Sequence, residues 1–176
     1  MSISVHHPHI CIGVSSCLLG EQVRYDGGHR HNDTITTILS RYFTLVPFCP
    51  EVAVGMGIPR PPIHLVKTNH GIRARGVENP QQDMTAVLAE YGRKIALETS
   101  TLCGYIFKAR SPSCGITDVP LFDEHNKLIG QGQGLFAAQI RLHHPELPVM
   151  DETALTEEEL REQFIQAVLH YADRDK

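Results

Sequence analysis

No apolar run in this chain of 176 residues approaches the length needed to cross a bilayer. The first residues, Met1 to His9, are polar and His-rich and lack the charged-then-apolar pattern of a leader peptide. With neither pattern present, a cytoplasmic protein is expected. Positive charge is not in excess either. A formal net charge of -4 argues against a broad basic surface for extended nucleic acid. It leaves room for a local basic pocket that holds one phosphate, so small polar ligands are the expected partners. There is no internal repeat and no low-complexity stretch, and 41% apolar content fits one ordinary globular domain. No Cys-x-x-Cys pair occurs, and the cysteines number five, an odd count. In a reducing compartment such cysteines serve catalysis or metal binding more often than disulfides.

Strand and helix patterns alternate along most of the chain. Apolar β-rich runs at Ile10 to Val14, Phe43 to Phe48, Ile63 to Val66 and Gly104 to Phe107 predict strands. Asn32 or Asp33 is placed to cap an amphipathic helix carrying Ile35, Ile38, Leu39 and Tyr42 on one face. The segment from Lys67 to Pro80 reads as a polar connection. Met84, Val87, Leu88, Tyr91 and Ile95 keep the helical period, so a helix is expected from about Gln81 to Thr99. Val119 to Phe122 and Lys127 to Ile129 suggest a hairpin. A glycine-punctuated stretch, Gly130, Gly132 and Gly134, then opens a helix over Leu135 to Leu142, where free N–H groups can hold an anion. Thr156 to Glu159 reads as a capping box for a last helix bearing Leu160, Phe164, Val168 and Tyr171. The expected fold is α/β, a Rossmann-like parallel sheet flanked by helices with a small β-hairpin near the C-terminal third. In domain terms, residues 1–9 form a flexible N-terminus, 10–150 the α/β domain, and 151–176 a C-terminal helix packed on it.

The cysteines differ in context. Cys11 and Cys103 fall inside or at the start of apolar runs, as core cysteines do. Cys17, Cys49 and Cys114 each follow a strand-like run, and in a parallel sheet all three reach the carboxyl edge where ligands bind. Three thiols without a fourth protein ligand leave an open coordination position, the catalytic rather than the structural arrangement. A sulfur-only set suits zinc or an iron–sulfur cluster. Proline after Cys49 forces that cysteine into extended geometry, and continued alternation would point Cys49 and Glu51 to one side. By the same rule Ser111, ahead of Pro112, is extended, with Ser111 and Ser113 facing one way and Cys114 the other. Arg24, Arg30 and Arg60 are loop cations available to a nucleotide phosphate, and Lys108 and Arg110 are either exposed or turned to an anionic ligand. His29 and His31 read as surface residues.

Several motifs in order, Ser16-Cys17-Leu18-Leu19-Gly20, Arg24-Tyr25-Asp26-Gly27, Cys49-Pro50-Glu51, Pro59-Arg60-Pro61-Pro62, Lys108 with Ser111-Pro112-Ser113-Cys114-Gly115, and Gly132-Gln133-Gly134, resemble the thiouracil desulfidase family. The resemblance runs from about Ile10 to Leu142. The tail around Leu160 to Ile165 is similar to the linker that precedes a second domain in longer relatives, so a stand-alone single-domain form is expected. The resemblance implies a 4Fe-4S cluster held by Cys17, Cys49 and Cys114, with one open iron for the substrate's sulfur. It implies non-redox desulfuration of a thiolated pyrimidine, thiouracil or 4-thiouridine monophosphate, to uracil or UMP with release of hydrosulfide. In that scheme Glu51 activates water, Ser111 or Ser113 relays a proton or holds the ring, and Arg24, Tyr25, Asp26, Arg30, Arg60 and Lys108 contact substrate. The rival readings are a three-cysteine zinc hydrolase and a non-enzymatic iron–sulfur sensing module. A monomer is the default.

Overall fold

The computed structural model describes residues 5–174. The chain runs β1 (His7–Ser15), β2 (Phe43–Phe48), α1 (Pro50–Ala53), β3 (Ile63–Thr68), β4 (Gly71–Gly76), α2 (Thr85–Glu98), β5 (Leu102–Phe107), β6 (Val119–Phe122), β7 (Leu128–Gly132), α3 (Leu135–His143), β8 (Val149–Asp151) and α4 (Glu158–Arg174). A parallel sheet of order β2-β1-β5-β8 is the centre of the α/β fold, as the alternating patterns predict. Alternation along β1 buries Ile10, Ile12 and Val14, which pack with Phe164, Ile165 and Val168 of α4 on one face. On the other face Tyr105 and Phe107 of β5 pack with Ile95 of α2 and Phe136 and Ile140 of α3. Covered on both sides, the sheet can read as continuous apolar runs.

The expected hairpin is part of a second, mixed sheet of order β4-β3-β6-β7. Its core is Ile63, Leu65, Ala74, Leu88, Val119 and Leu121. The strand β4 lies within the stretch expected to be a polar connection. It pairs antiparallel with β3, and it alternates Arg73 and Arg75 with Ile72 and Ala74, too little apolar content to announce a strand. Arg73 binds Asp83 at 2.8 Å and Arg75 binds Glu124 at 3.3 Å, so the charges that disguise the strand are the ones that fasten it.

Two further expectations are corrected. The amphipathic helix after Asp33 is a π-turn, Thr34–Ile38, followed by a 3-10 turn, Leu39–Arg41. Five successive β-branched residues disfavour a regular α-helix. The hydroxyls of Thr37 and Ser40 also donate to the carbonyls of Asp33 and Thr36 four residues back, both at 2.6 Å. Ile35 and Leu39 nevertheless reach the core. At the N-terminus, His7–His9, expected in a flexible segment, already belong to β1, and His7 donates its N–H to the Tyr42 carbonyl. Residues 1–4 of that segment lie outside the described residues. Among the described residues no helix is long and apolar enough to cross a membrane.

Candidate active site

Strand order gathers the site. Cys17 follows β1 in a 3-10 turn (Ser16–Leu19), Cys49 follows β2, and Cys114 lies in the loop after β5, and these are the three adjacent strands β2-β1-β5. All three thiols line one cavity of about 450 Å³ at the carboxyl edge of the parallel sheet, as do Glu51, Ser111 and Ser113. Among the described residues no three His, Cys, Asp or Glu side chains converge closely enough to hold a single ion.

Glu51 reaches the cavity by a different route from the one alternation suggests. Cys49 is extended, with φ -127° and ψ 98°, but it is the N-cap of α1, and Glu51 stands in that helix's first turn. Proline favours this start, since its missing N–H is not needed there. Inside the cavity Glu51 is held from two sides. The Ser113 hydroxyl donates to Oε1 at 2.8 Å, and Arg60 Nε donates to Oε2 at 2.8 Å. Arg60 also donates to the carbonyls of Val23 and Gly57, and its side chain is only 5% exposed. It is therefore a clamp on Glu51, with Nε and Nη1 committed to protein, and it lines the cavity.

The Cys114 loop is a turn, which corrects the expected alternation of Ser111, Ser113 and Cys114. The Ser111 hydroxyl oxygen accepts the N–H groups of Ser113 (3.2 Å) and Cys114 (3.1 Å), curling the chain so that Ser113 and Cys114 both face the cavity. Helix α3 locks this turn from behind. The N–H of Leu135 donates to the Pro112 carbonyl, and those of Phe136 and Ala137 to the Ser113 carbonyl. These first-turn donors are thus occupied by the loop and not open to an anion. The approach demands glycine at 134, where a Cβ would fall 2.5 Å from the Ser113 carbonyl carbon and oxygen.

The cations divide into held and open ones. Lys108 pairs with Glu152 at 2.5 Å, each side chain 13% exposed, and Glu152 also accepts the Ala109 N–H at 2.7 Å. Register explains the meeting, because Phe107 pairs with Asp151 across β5 and β8 and the next residues are Lys108 and Glu152. Arg24, Arg30 and Arg110 line the cavity. Arg24 lies 5.3 Å from the Tyr25 ring and 3.6 Å from Asp26, and its buried Nε has no hydrogen-bond partner. Tyr25 lines the cavity and is 42% exposed. Asp26 is not part of the lining; it accepts the Gly28 N–H at 3.0 Å and shapes the Arg24 loop. Sequence reasoning did not single out Ser15 or Glu152. Ser15 is buried in the cavity wall and accepts the Lys108 N–H at 2.9 Å.

Burial sets the thiol chemistry. It pushes Cys17 up to about 11, against the pull of the Lys108 and Arg24 charges. It raises Cys49 and carries Cys114 far above the usual thiol range, although a hydrogen bond from Ser15 opposes it there. Buried thiols of this kind stay protonated at neutral pH and give up their protons only to a strong Lewis acid, so the donor set fits a thiophilic metal group. His29 and His31 sit outside this wall and bond locally, His31 to Thr36 at 3.0 Å.

Comparison with known proteins gives the family. A structure of a [4Fe-4S]-dependent thiouracil desulfidase, TudS, matches with a TM-score of 0.63 at 28% identity, over 88% of this chain and 98% of that one. An uncharacterized protein, YbbK, of Bacillus subtilis strain 168 is 30% identical over 108 residues, 58% of this chain and 71% of its own length. The family model described as 2-thiouracil desulfurase matches residues 12–152, a span that contains Cys17, Cys49, Cys114, Glu51 and Ser113. The chain belongs to the 2-thiouracil desulfurase family.

Proposed function

We propose that the chain removes sulfur from a thiolated pyrimidine, with Cys17, Cys49 and Cys114 holding a 4Fe-4S group that keeps one iron open. The observation that carries this reading is the hydrogen bond from Ser113 to Glu51 in the cavity that the three thiols line. A site that only stored or sensed a cluster has no need of a clamped carboxylate and hydroxyl beside it. Three thiols in one wall suit a cluster, in which each cysteine takes a different iron.

When bound, the iron–sulfur group supplies a Lewis acid that draws electrons from the substrate's thione. The chain's own residues supply the rest. Water adds to the ring carbon that bears sulfur, its proton passing to Glu51 directly or through the Ser113 hydroxyl, which already points at Oε1. Collapse breaks the C–S bond and leaves a carbonyl. One water is consumed, oxygen replaces sulfur, the sulfur departs as hydrosulfide, and no net electron is transferred. Arg60 keeps the Glu51 carboxylate aimed throughout.

At the cavity wall Arg24, Arg30 and Arg110 supply positive charge and Tyr25 an exposed ring. That combination suits a thiolated mononucleotide as well as a free thiobase. The test is loss of thione absorbance from 4-thiouracil and 4-thiouridine monophosphate, incubated without oxygen with reconstituted protein. Turnover with equal release of sulfide supports the proposal. A fully loaded protein that leaves both compounds and 2-thiouracil intact overturns it.

A further inference from the structure

Among the described residues four polar or charged ones are buried, Ser15, Ser16, Arg60 and Ser113, and all four line the cavity at the carboxyl edge of the parallel sheet. Burying a polar group costs free energy unless a partner compensates it, so each should have one. Three do. Ser15 accepts the Lys108 N–H at 2.9 Å, Ser113 donates to Glu51 at 2.8 Å, and Arg60 donates to Glu51 and to two carbonyls. The Ser16 hydroxyl makes no hydrogen bond among the described residues, although the residue is only 4% exposed. Its backbone carbonyl is used, accepting the Glu21 N–H at 3.4 Å. Nor is the hydroxyl sealed in the core, since the partnerless side-chain atoms enclosed there belong to Arg24, Tyr105 and Gln133. What surface it keeps is in the cavity wall.

Its place narrows what it can meet. Ser16 opens the 3-10 turn that carries Cys17, one of the three thiols of that wall. A pyrimidine whose thione is presented to the three-cysteine end of the cavity brings the atoms flanking its thione carbon to the same place. In a thiolated uracil one of them is N3–H, whether sulfur is at the 2 or the 4 position. A hydroxyl can accept from that N–H or donate to a carbonyl. Alanine would fill the space without burying an unpaired polar group, so packing does not explain serine here.

We infer that Ser16 is a substrate-binding residue, whose hydroxyl bonds the polar edge of the pyrimidine ring beside the thione. The inference rests on the proposed desulfuration. It makes Ser16 the buried polar group of the cavity that is left for substrate, while Ser15, Arg60 and Ser113 hold the protein's own atoms.

The test is Ser16→Ala in the full chain, loaded without oxygen and compared with wild type on 4-thiouracil, or on 2-thiouracil if wild type converts that compound instead. Iron and sulfide content should be unchanged. Before loading, the variant should unfold at the same or a higher denaturant concentration, because no bond within the protein is lost. With substrate, kcat/KM should fall about two- to tenfold, the size of one hydrogen bond, through a raised KM with kcat nearly unchanged. An unchanged KM overturns the inference. So does a variant that is less stable before loading, since the hydroxyl then has a partner in the protein, and so does one that loses iron or shifts its midpoint potential at constant KM, since the hydroxyl then serves the metal group. Loaded wild type that converts neither compound overturns the underlying reading instead, and it does so before the variant is compared.

Discussion

Glu51 accepts a hydrogen bond on each of its carboxylate oxygens, one from Ser113 and one from Arg60. Glu51→Gln keeps the shape and removes the base, so turnover should fall by about 10²- to 10⁴-fold while iron content stays at the wild-type value. Steady-state rates alongside iron assays check this, and a variant with normal rate would remove Glu51 from the chemistry. The two serines should separate. Ser113→Ala removes only the donor to Glu51 and should lower kcat with iron retained. Ser111→Ala frees the N–H groups of Ser113 and Cys114 and should cost iron as well as rate. At this scale the sequence was informative about which residues meet at the cavity and less so about how they are held. The cysteines, Glu51 and Ser113 stand in recognisable motifs. Arg60 carries the same charge whether it binds a phosphate or a carboxylate, and only the fold brings Glu51 within 2.8 Å of it.

The element that organises the centre is the turn from Ser111 to Cys114 with α3 docked behind it. Gly134→Ala would drive a methyl into backbone atoms of Ser113 and Cys114, which have no rotamer to yield. A loss of about 1–3 kcal/mol is expected, read as a lower denaturation midpoint, together with weaker iron retention. Unchanged stability would mean that the helix and loop are not locked together. Strands β1 and β5 were legible because burial on both faces gives long apolar runs, and the edge strand β2 because it stays mostly apolar although only Phe43 is fully buried. Extended alternation failed at Glu51 and at Ser113 because each lies past its strand's end, in a helix turn and a serine-bonded turn, where period 2 no longer applies. Glu152 was illegible for another reason. It follows β8, a strand of three residues with no pattern of its own, and meets Lys108 only through sheet register.

For the molecule as a whole, strand order does what no local motif does. Cysteines distant in sequence come to one cavity because β2, β1 and β5 are adjacent and parallel. Placing thiols in that interior has a consequence for stability. Burial holds Cys17 protonated up to about 11 in the folded chain, against an ordinary value of 9.0. A raised folded value means that the unfolded chain ionises first. The metal-free chain should therefore keep its full stability below pH 9 and lose on the order of 2–3 kcal/mol from this group as pH rises to about 11. Denaturant unfolding at a series of pH values checks the sign, and stability that rises over this window would contradict it. Substituting Cys17 by Ala should flatten the slope.

The account stands on one claim, that Cys17, Cys49 and Cys114 together hold an iron–sulfur group. The direct measurement is iron and acid-labile sulfide per chain in protein prepared without oxygen, with each of the three changed to alanine and with Cys11→Ala and Cys103→Ala as controls. The account predicts about four irons and four sulfides in wild type and both controls, and loss in each of the three site variants. Zinc in place of iron, or iron retained after removal of any of the three, would contradict it.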